Sequence, residues 1–403
     1  MFPRVAIALG IVVGLAAPAR AQDRESPLRT IAHGQDYPVL ELVTMGVGEL
    51  IWERHGHISL CVVYADPAQD TCFNYGIVDL SDPLATAFDF VRGKNSFWAG
   101  RLDSSEVLSV YEEGDRTVWV QPLPLSPAQK QAILARLDHD VLEENRYYAY
   151  DHFSANCTTR VRDLLDEATG GALARMDEPG DGKTFRELAR EGFVGMDSMA
   201  RVSLVITDFI MGRVTDRVPT YYERMFLPQF LREAVAKQFG VEPQPIYVRT
   251  ECRGSTDKNC LERGVASPDD GPSGRVWLVV LVLLLTAPAW ATRRWGRFQR
   301  LGLAFAVLPQ WLLGVALWTL AIISPLPYFH WNESCLVLLP LDLGLLLLPS
   351  ASRRMYARAR VVELALCAVL LAIGVLKQPL WAVLVWPLAP AVLVGFGREN
   401  DKR

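Results

Sequence analysis

The 403-residue sequence is short of the features that mark several large functional classes. Its net charge is only −4, from 41 basic and 45 acidic side chains, so nothing in the balance argues for nucleic acid as a partner. No metal-ligand spacing, phosphate-binding loop or serine elbow occurs, and no cofactor is expected. There is no internal repeat and no extended low-complexity run, which excludes solenoids and fibrous chains. No cysteine follows the N-terminal apolar run, so the chain is not read as a lipoprotein itself.

What is present points to an envelope protein. Arg4, the apolar stretch Val5 to Ala17 and the small-x-small site Ala19-Arg20-Ala21 form a secretory signal over residues 1–21, with the mature chain starting at Gln22. From about Arg275 the composition turns apolar, with runs near 276–291, 301–323, 335–349, 361–376 and 379–396. These predict a helical membrane bundle of about five spans over 275–403. Arg293, Arg294, Arg297 and Arg300 lie after the first run, and Arg353, Arg354, Arg358 and Arg360 after the third. By the positive-inside rule both loops belong in the cytoplasm, which puts the C-terminus inside and residues 22–274 outside. The expected location is therefore the bacterial inner membrane, multi-pass, with the N-terminal domain in the periplasm.

Five cysteines fall in that outer part: Cys61, Cys72, Cys157, Cys252 and Cys260. Cys61 and Cys72 flank a turn-rich stretch and can face each other across a hairpin, while Cys252 and Cys260 can close a small loop. Cys157 is then the odd thiol. Residues 22–256 suffice for one α+β domain, joined to the membrane part by a polar linker over 257–274. Strands are expected at 57–64, 71–78 and 117–121. Helices should follow the Ser126-Pro127 cap, begin near Cys157 with Val161, Leu164, Leu165 and Ala168 as the buried stripe, and start at the Thr184 capping box. The apolar run 202–211 is too short to span; it is either part of an acyl groove, an interfacial helix or an ordinary core helix.

A cysteine at a helix N-terminus gains from unpaired backbone N–H groups, which favour the thiolate and can hold an oxyanion. A nearby histidine would complete an activated nucleophile. His57, at the head of a strand, is the first choice; His55 would share its face on a continuous strand, and His152 is local to Cys157 but sits in an aromatic run. If Cys61 faces Cys72, the register sets Ser59 opposite Asn74 and makes Asn74 a diagonal neighbour of His57, able to orient the imidazole. Asn156, beside the cysteine, is a possible supporting residue.

Three stretches, Gly56-His57-Ile58-Ser59-Leu60, Asn74-Tyr75-Gly76 and the run from Tyr150 through Asn156-Cys157-Thr158-Thr159-Arg160 to Asp163, resemble the N-terminal extracytoplasmic domain of the bacterial lipoprotein N-acyltransferase Lnb family. Phe88 to Gly93 and Gly212 to Leu231 extend the resemblance over most of 40–235. Histidine before cysteine is also the order of the related permuted papain-like, NlpC-type thiol enzymes. The resemblance implies a reaction in which an acyl chain of a diacylglyceryl lipoprotein moves to the amine of its own N-terminal cysteine, with His57 as base and Cys157 as nucleophile. Diacylated lipoproteins or other acyl lipids, and the membrane, would be the partners. His152 stands where the family usually has an aromatic, and the hairpin cysteines are not a family trait. Two other readings stay open: an NlpC-type thiol hydrolase acting on cell-wall peptide or lipid ester, and a non-catalytic envelope protein in which intramembrane Asp342 and Glu363 do the work.

Overall fold

A computed structural model describes residues 27–192, 205, 208–263, 274–296 and 298–397. The expected signal peptide, the start at Gln22, most of the linker, part of the 202–211 run, Arg297 and the C-terminal tail lie outside these residues. The described residues fall into two compact units, one drawn from 1–183 and 219–266, the other from 184–218 and 267–403.

The first unit is built on a seven-stranded antiparallel sheet: β1 (Val39–Met45), β2 (His57–Val63), β3 (Thr71–Val78), β4 (Phe97–Asp103), β5 (Val118–Pro122), β6 (Tyr147–Tyr148) and β7 (Gln244–Tyr247), in the order β6-β4-β3-β2-β1-β5-β7. Its helices are α1 (Pro27–Ala32), α2 (Pro83–Val91), α3 (Ser104–Glu113), α4 (Pro127–Asp140) and α5 (Cys157–Ala168). Period-two alternation sorts the strands onto two cores. Leu40, Leu42, Ile58, Leu60, Val62, Phe73 and Tyr75 face the cluster that holds Val161, Leu164 and Leu165 of α5. Val43, Cys61, Val63, Cys72 and Val120 face Val107, Leu108 and Tyr111 of α3.

The hairpin forms in the expected register, with Cys61 opposite Cys72 and Ser59 opposite Asn74. Both expected disulfides, Cys61–Cys72 and Cys252–Cys260, are present, and Cys157 is free. Ser126 caps α4 and Thr184 caps the helix α6 (Phe185–Glu191), each with its reciprocal glutamine or glutamate partner. Strand β1 was not expected from sequence: all seven of its residues are buried, because it lies between β2 and β5 and is covered on both faces.

The second unit is helical. It contains α6 and, beyond the helix α7 of the first unit (Pro228–Phe239), the helices α8 (Gly274–Trp295), α9 (Gln299–Ile323), α10 (Ser350–Ala372) and α11 (Trp381–Phe396). Five spanning helices are not formed. Among the described residues, only α8 and α9 are long and apolar enough to cross a membrane. The third apolar run is broken into short pieces, Ser334–Val337, Pro340–Leu343 and Gly344–Leu347, where Pro340 interrupts the backbone ladder. Helix α10 is charged over its first turns, and α11 has 16 residues with Pro387 and Pro390 inside. The odd span count that linked a C-terminus inside to residues 22–274 outside is therefore not formed. Arg360, expected in a loop, lies within α10, where it is buried against Asp342. Of the 202–211 run, Val205 and Phe209 are buried among Leu278, Val282 and Leu317 in a helical core.

Candidate functional site

Helix α5 starts at Cys157 because Asn156 caps it: the Asn156 side chain accepts from Thr159 N–H at 2.8 Å. Its amide donates to the carbonyls of His152 at 2.7 Å and Phe226 at 2.8 Å. Every polar atom of Asn156 is thus committed to fixing the start of the helix. Its task in the structure is to build the helix terminus on which Cys157 sits.

Helix α5 packs on β2 and β3. Between Asn74 and Ile77 the pairing of β3 with β4 slips by one residue, and Gly76 has φ of +84°. This bulge brings the backbone under the helix terminus: a Cβ at Gly76 would sit 3.4 Å from the Tyr150 ring and 3.8 Å from Cys157 Cβ. The Cys157 sulfur is half-buried, 3.8 Å from Thr158 Oγ1. Burial pushes the thiol above its ordinary value; the Thr158 hydroxyl and the backbone N–H groups of Ile58, Thr158 and Cys157 pull the other way without winning.

His57 opens β2 and is buried. Its Nε2 lies 3.2 Å from Asn74 Oδ1, which also accepts from the Ser59 hydroxyl. A carbonyl oxygen can only accept, so Nε2 carries the proton and Nδ1 keeps the lone pair. Burial, with help from the charge of Arg116, lowers the imidazole to about 4 despite the hydrogen bond to Asn74. The pair is therefore a neutral thiol and a neutral imidazole at rest. Among the described residues no hydrogen bond joins His57 to Cys157; the thiol instead neighbours the N–H of Ile58, the residue after His57.

Two side chains that pack around His57, Tyr111 and Arg116, were not expected from the sequence. The His57 ring stacks on Tyr111 of α3 at 6.0 Å between centroids, and the Arg116 guanidinium lies 4.7 Å over the Tyr111 ring. Arg116 donates to Gly46 O at 2.9 Å and pairs with Glu53 at 3.4 Å, yet its Nη2 is buried without a partner, as is Asn74 Nδ2. Tyr111 and Arg116 both lie close enough to Cys157 to feel the charge of a thiolate formed there. They reach the site from α3 and its following turn, which share no local pattern with the histidine or cysteine motifs. Glu53 is nearer in sequence, four residues before His57.

The competing histidines are accounted for. His55 precedes the strand, so alternation with His57 does not apply; its ring meets His152 edge-on at 4.9 Å. His152 in turn packs on Phe153 and Phe226, and burial lowers it to about 4. Both belong to an aromatic cluster beneath the start of α5. Among the described residues no group of three or more His, Cys, Asp or Glu could hold a metal ion.

An α+β domain with a seven-stranded antiparallel sheet, a free cysteine at a helix N-terminus and a histidine at the head of a neighbouring strand is the class this geometry defines. Residues 34–191 match the family model described as the Lnb N-terminal periplasmic domain, and this segment belongs to that family. No curated protein matches the chain. No solved structure does either.

Proposed function

We propose that the protein is a membrane-anchored, cysteine-dependent acyltransferase that moves an acyl chain of a diacylglyceryl lipoprotein to the amine of its N-terminal cysteine. The observation that carries this reading is the free Cys157 at the capped start of α5, in a segment of the Lnb periplasmic family. Two disulfides suit the periplasm, and α8 and α9 suit an inner-membrane anchor.

In this reading His57 Nδ1 takes the Cys157 proton as the sulfur attacks the ester carbonyl, and the N-terminal N–H groups of α5 receive the oxyanion. The ester C–O bond breaks and the glycerol oxygen takes the proton from His57. The lipoprotein's own amine then attacks the thioester, His57 takes the ammonium proton, and the thiol is restored. Ester and amine are on one molecule, which gives the amine an entropic advantage over water. Asn74 holds the imidazole tautomer. An unliganded site commonly holds base and nucleophile farther apart than the substrate complex does, which fits the absence of a direct bond here.

The test is a diacylated lipopeptide in micelles, with lyso-lipopeptide bearing an amide-linked chain as the product. Cys157→Ala should abolish it and His57→Ala should lower the rate by about 10² to 10⁴, while His55→Ala has little effect. Free fatty acid alone would make the protein a lipid hydrolase. Cleavage of cell-wall peptide without lipid reaction would refute acyl transfer.

A further inference from the structure

Helix α2 carries its apolar stripe on the outside. Leu84, Ala87, Phe88 and Val91 recur at i, i+3, i+4 and i+7, the spacing that ordinarily turns a surface helix toward a core. Here no residue of the helix is buried; Leu84 is 83% exposed and Phe88 54%. The helix is held by Phe90, which lies off that stripe and meets the rings of Phe97 at 6.3 Å and Tyr150 at 6.2 Å between centroids. Phe97 and Tyr150 stack at 4.5 Å, and Tyr150 is the ring that flanks Gly76 next to Cys157. A row of aromatic side chains thus runs from the exposed helix to the thiol.

We propose that α2 is a membrane-docking helix, which sets Leu84 and Phe88 into the lipid surface and brings a lipid-borne acyl chain to Cys157 along Phe90, Phe97 and Tyr150. The chain between Arg263 and Gly274, where α8 begins, reaches at most about 40 Å even when fully extended, so a membrane span at α8 keeps the domain at the lipid surface. A protein partner is the poorer fit, because a stable interface takes about 800 Å² from each side. The outer stripe of a nine-residue helix offers far less. Headgroup charge does not drive the docking, since Asp82 and Asp89 balance Arg92 and Lys94. Lys94 pairs with Asp89 at 2.6 Å, and Arg92 lies 5.4 Å over the Phe88 ring. Burial of apolar surface is the driving force, as in an interfacial helix. Docking requires that α8 be a membrane helix, and the route to Cys157 rests on the acyl-transfer reading.

The experiment reconstitutes the full chain, as a Cys157→Ser/Ala87→Cys variant with an environment-sensitive fluorophore on residue 87, in phosphatidylcholine vesicles with or without brominated acyl chains. The Cys157→Ser protein alone sets the labelling background. The label at 87 should lose about half its emission to the brominated lipid, since an interfacial helix settles about 5–10 Å into the headgroup–acyl boundary. High salt should not change this, and a label at Glu112→Cys on α3 should lose almost nothing. Adding Leu84→Gln/Phe88→Gln should remove most of the quenching at 87 and leave the unfolding midpoint unchanged, because neither side chain is buried in the fold. Leu84→Met/Phe88→Leu should restore it. No quenching at 87, equal quenching at 112, or quenching that vanishes in salt or survives the glutamine variant would overturn the proposal. So would emission at 87 that shifts with protein concentration in detergent and ignores brominated lipid, since a second copy would then cover the stripe. Failure of the chain to float with the vesicles sinks the α8 reading and the docking together. In the lipopeptide assay, acyl transfer without quenching sinks only the docking, and quenching without any lipid reaction sinks the acyl-transfer reading and its route to Cys157.

Discussion

Two arginines, each only 3% exposed, show how differently the two units use a buried charge. In the helical unit Arg360 donates to both Asp342 oxygens at 2.8 and 2.9 Å and to Val337 O at 2.6 Å, and its remaining nitrogen pairs with Glu363. Tyr356 closes the Asp342 carboxylate at 2.8 Å. In the sheet unit Arg116 makes one carbonyl bond and one loose ion pair, and leaves Nη2 open above the ring that stacks on His57. The Arg360 charge is saturated by its partners, and the Arg116 charge is not. Of the carboxylates Asp342 and Glu363, read from sequence as possible working groups of a non-catalytic membrane protein, Asp342 locks the broken segment to α10 through Arg360, and Glu363 pairs with Arg360 within α10.

The largest expected effect breaks that lock. Asp342→Asn should leave Arg360 uncompensated and cost about 3–5 kcal/mol, while Asp342→Leu/Arg360→Met together should cost far less. Detergent-resistant unfolding of the three proteins reads this out, and equal losses in single and double variants would show that the pair is not closed.

Next comes Glu41, whose two carboxylate oxygens are buried without partners in β1. Burial, with a smaller push from Asp70, raises it to about 8 from an ordinary 4.5. Between those two values the folded state holds a proton that the unfolded state has lost, so stability falls as pH rises through the window. Glu41→Met should therefore stabilise the sheet unit by about 3 kcal/mol at pH 7 and by little at pH 4. Denaturant unfolding at both pH values checks the sign.

The smallest effect sharpens the comparison at Arg116. Its charge helps burial to lower His57, and Glu53, Tyr111, Asn74 and Ser59 are the other groups around the ring and its neighbour. Arg116→Gln removes the positive charge and leaves Glu53 unpaired; both changes favour the imidazolium. The His57 titration should move up from about 4 by about one unit in an NMR pH series. No movement would mean that burial alone sets the imidazole.

Local chemistry was legible in the sequence wherever it was self-contained. The 61–72 hairpin follows from its turn and its paired cysteines, and the start of α5 from a cap followed by an apolar stripe. Strand β1 escaped because burial on both faces removes alternation, and Tyr111 and Arg116 because nothing near them in sequence refers to His57 or Cys157. Hydropathy overcounted the membrane helices, since it weighs side chains and is blind to a backbone interrupted at Pro340 or a helix that begins with four arginines among its first eleven residues. Asn156 was legible by its position beside the thiol, and the structure shows it there as the cap of α5.

The central claim is that Cys157 takes an acyl chain from an ester with His57 as its base. Intact-protein mass spectrometry after brief mixing with a diacylated lipopeptide whose amine is blocked tests it most directly, because the thioester then has no acceptor. The account predicts a mass gain of one acyl chain on Cys157, removed by hydroxylamine, strongly reduced in His57→Ala and absent in Cys157→Ala. An unmodified Cys157 in the wild type, or acylation that proceeds undiminished in His57→Ala, would contradict it.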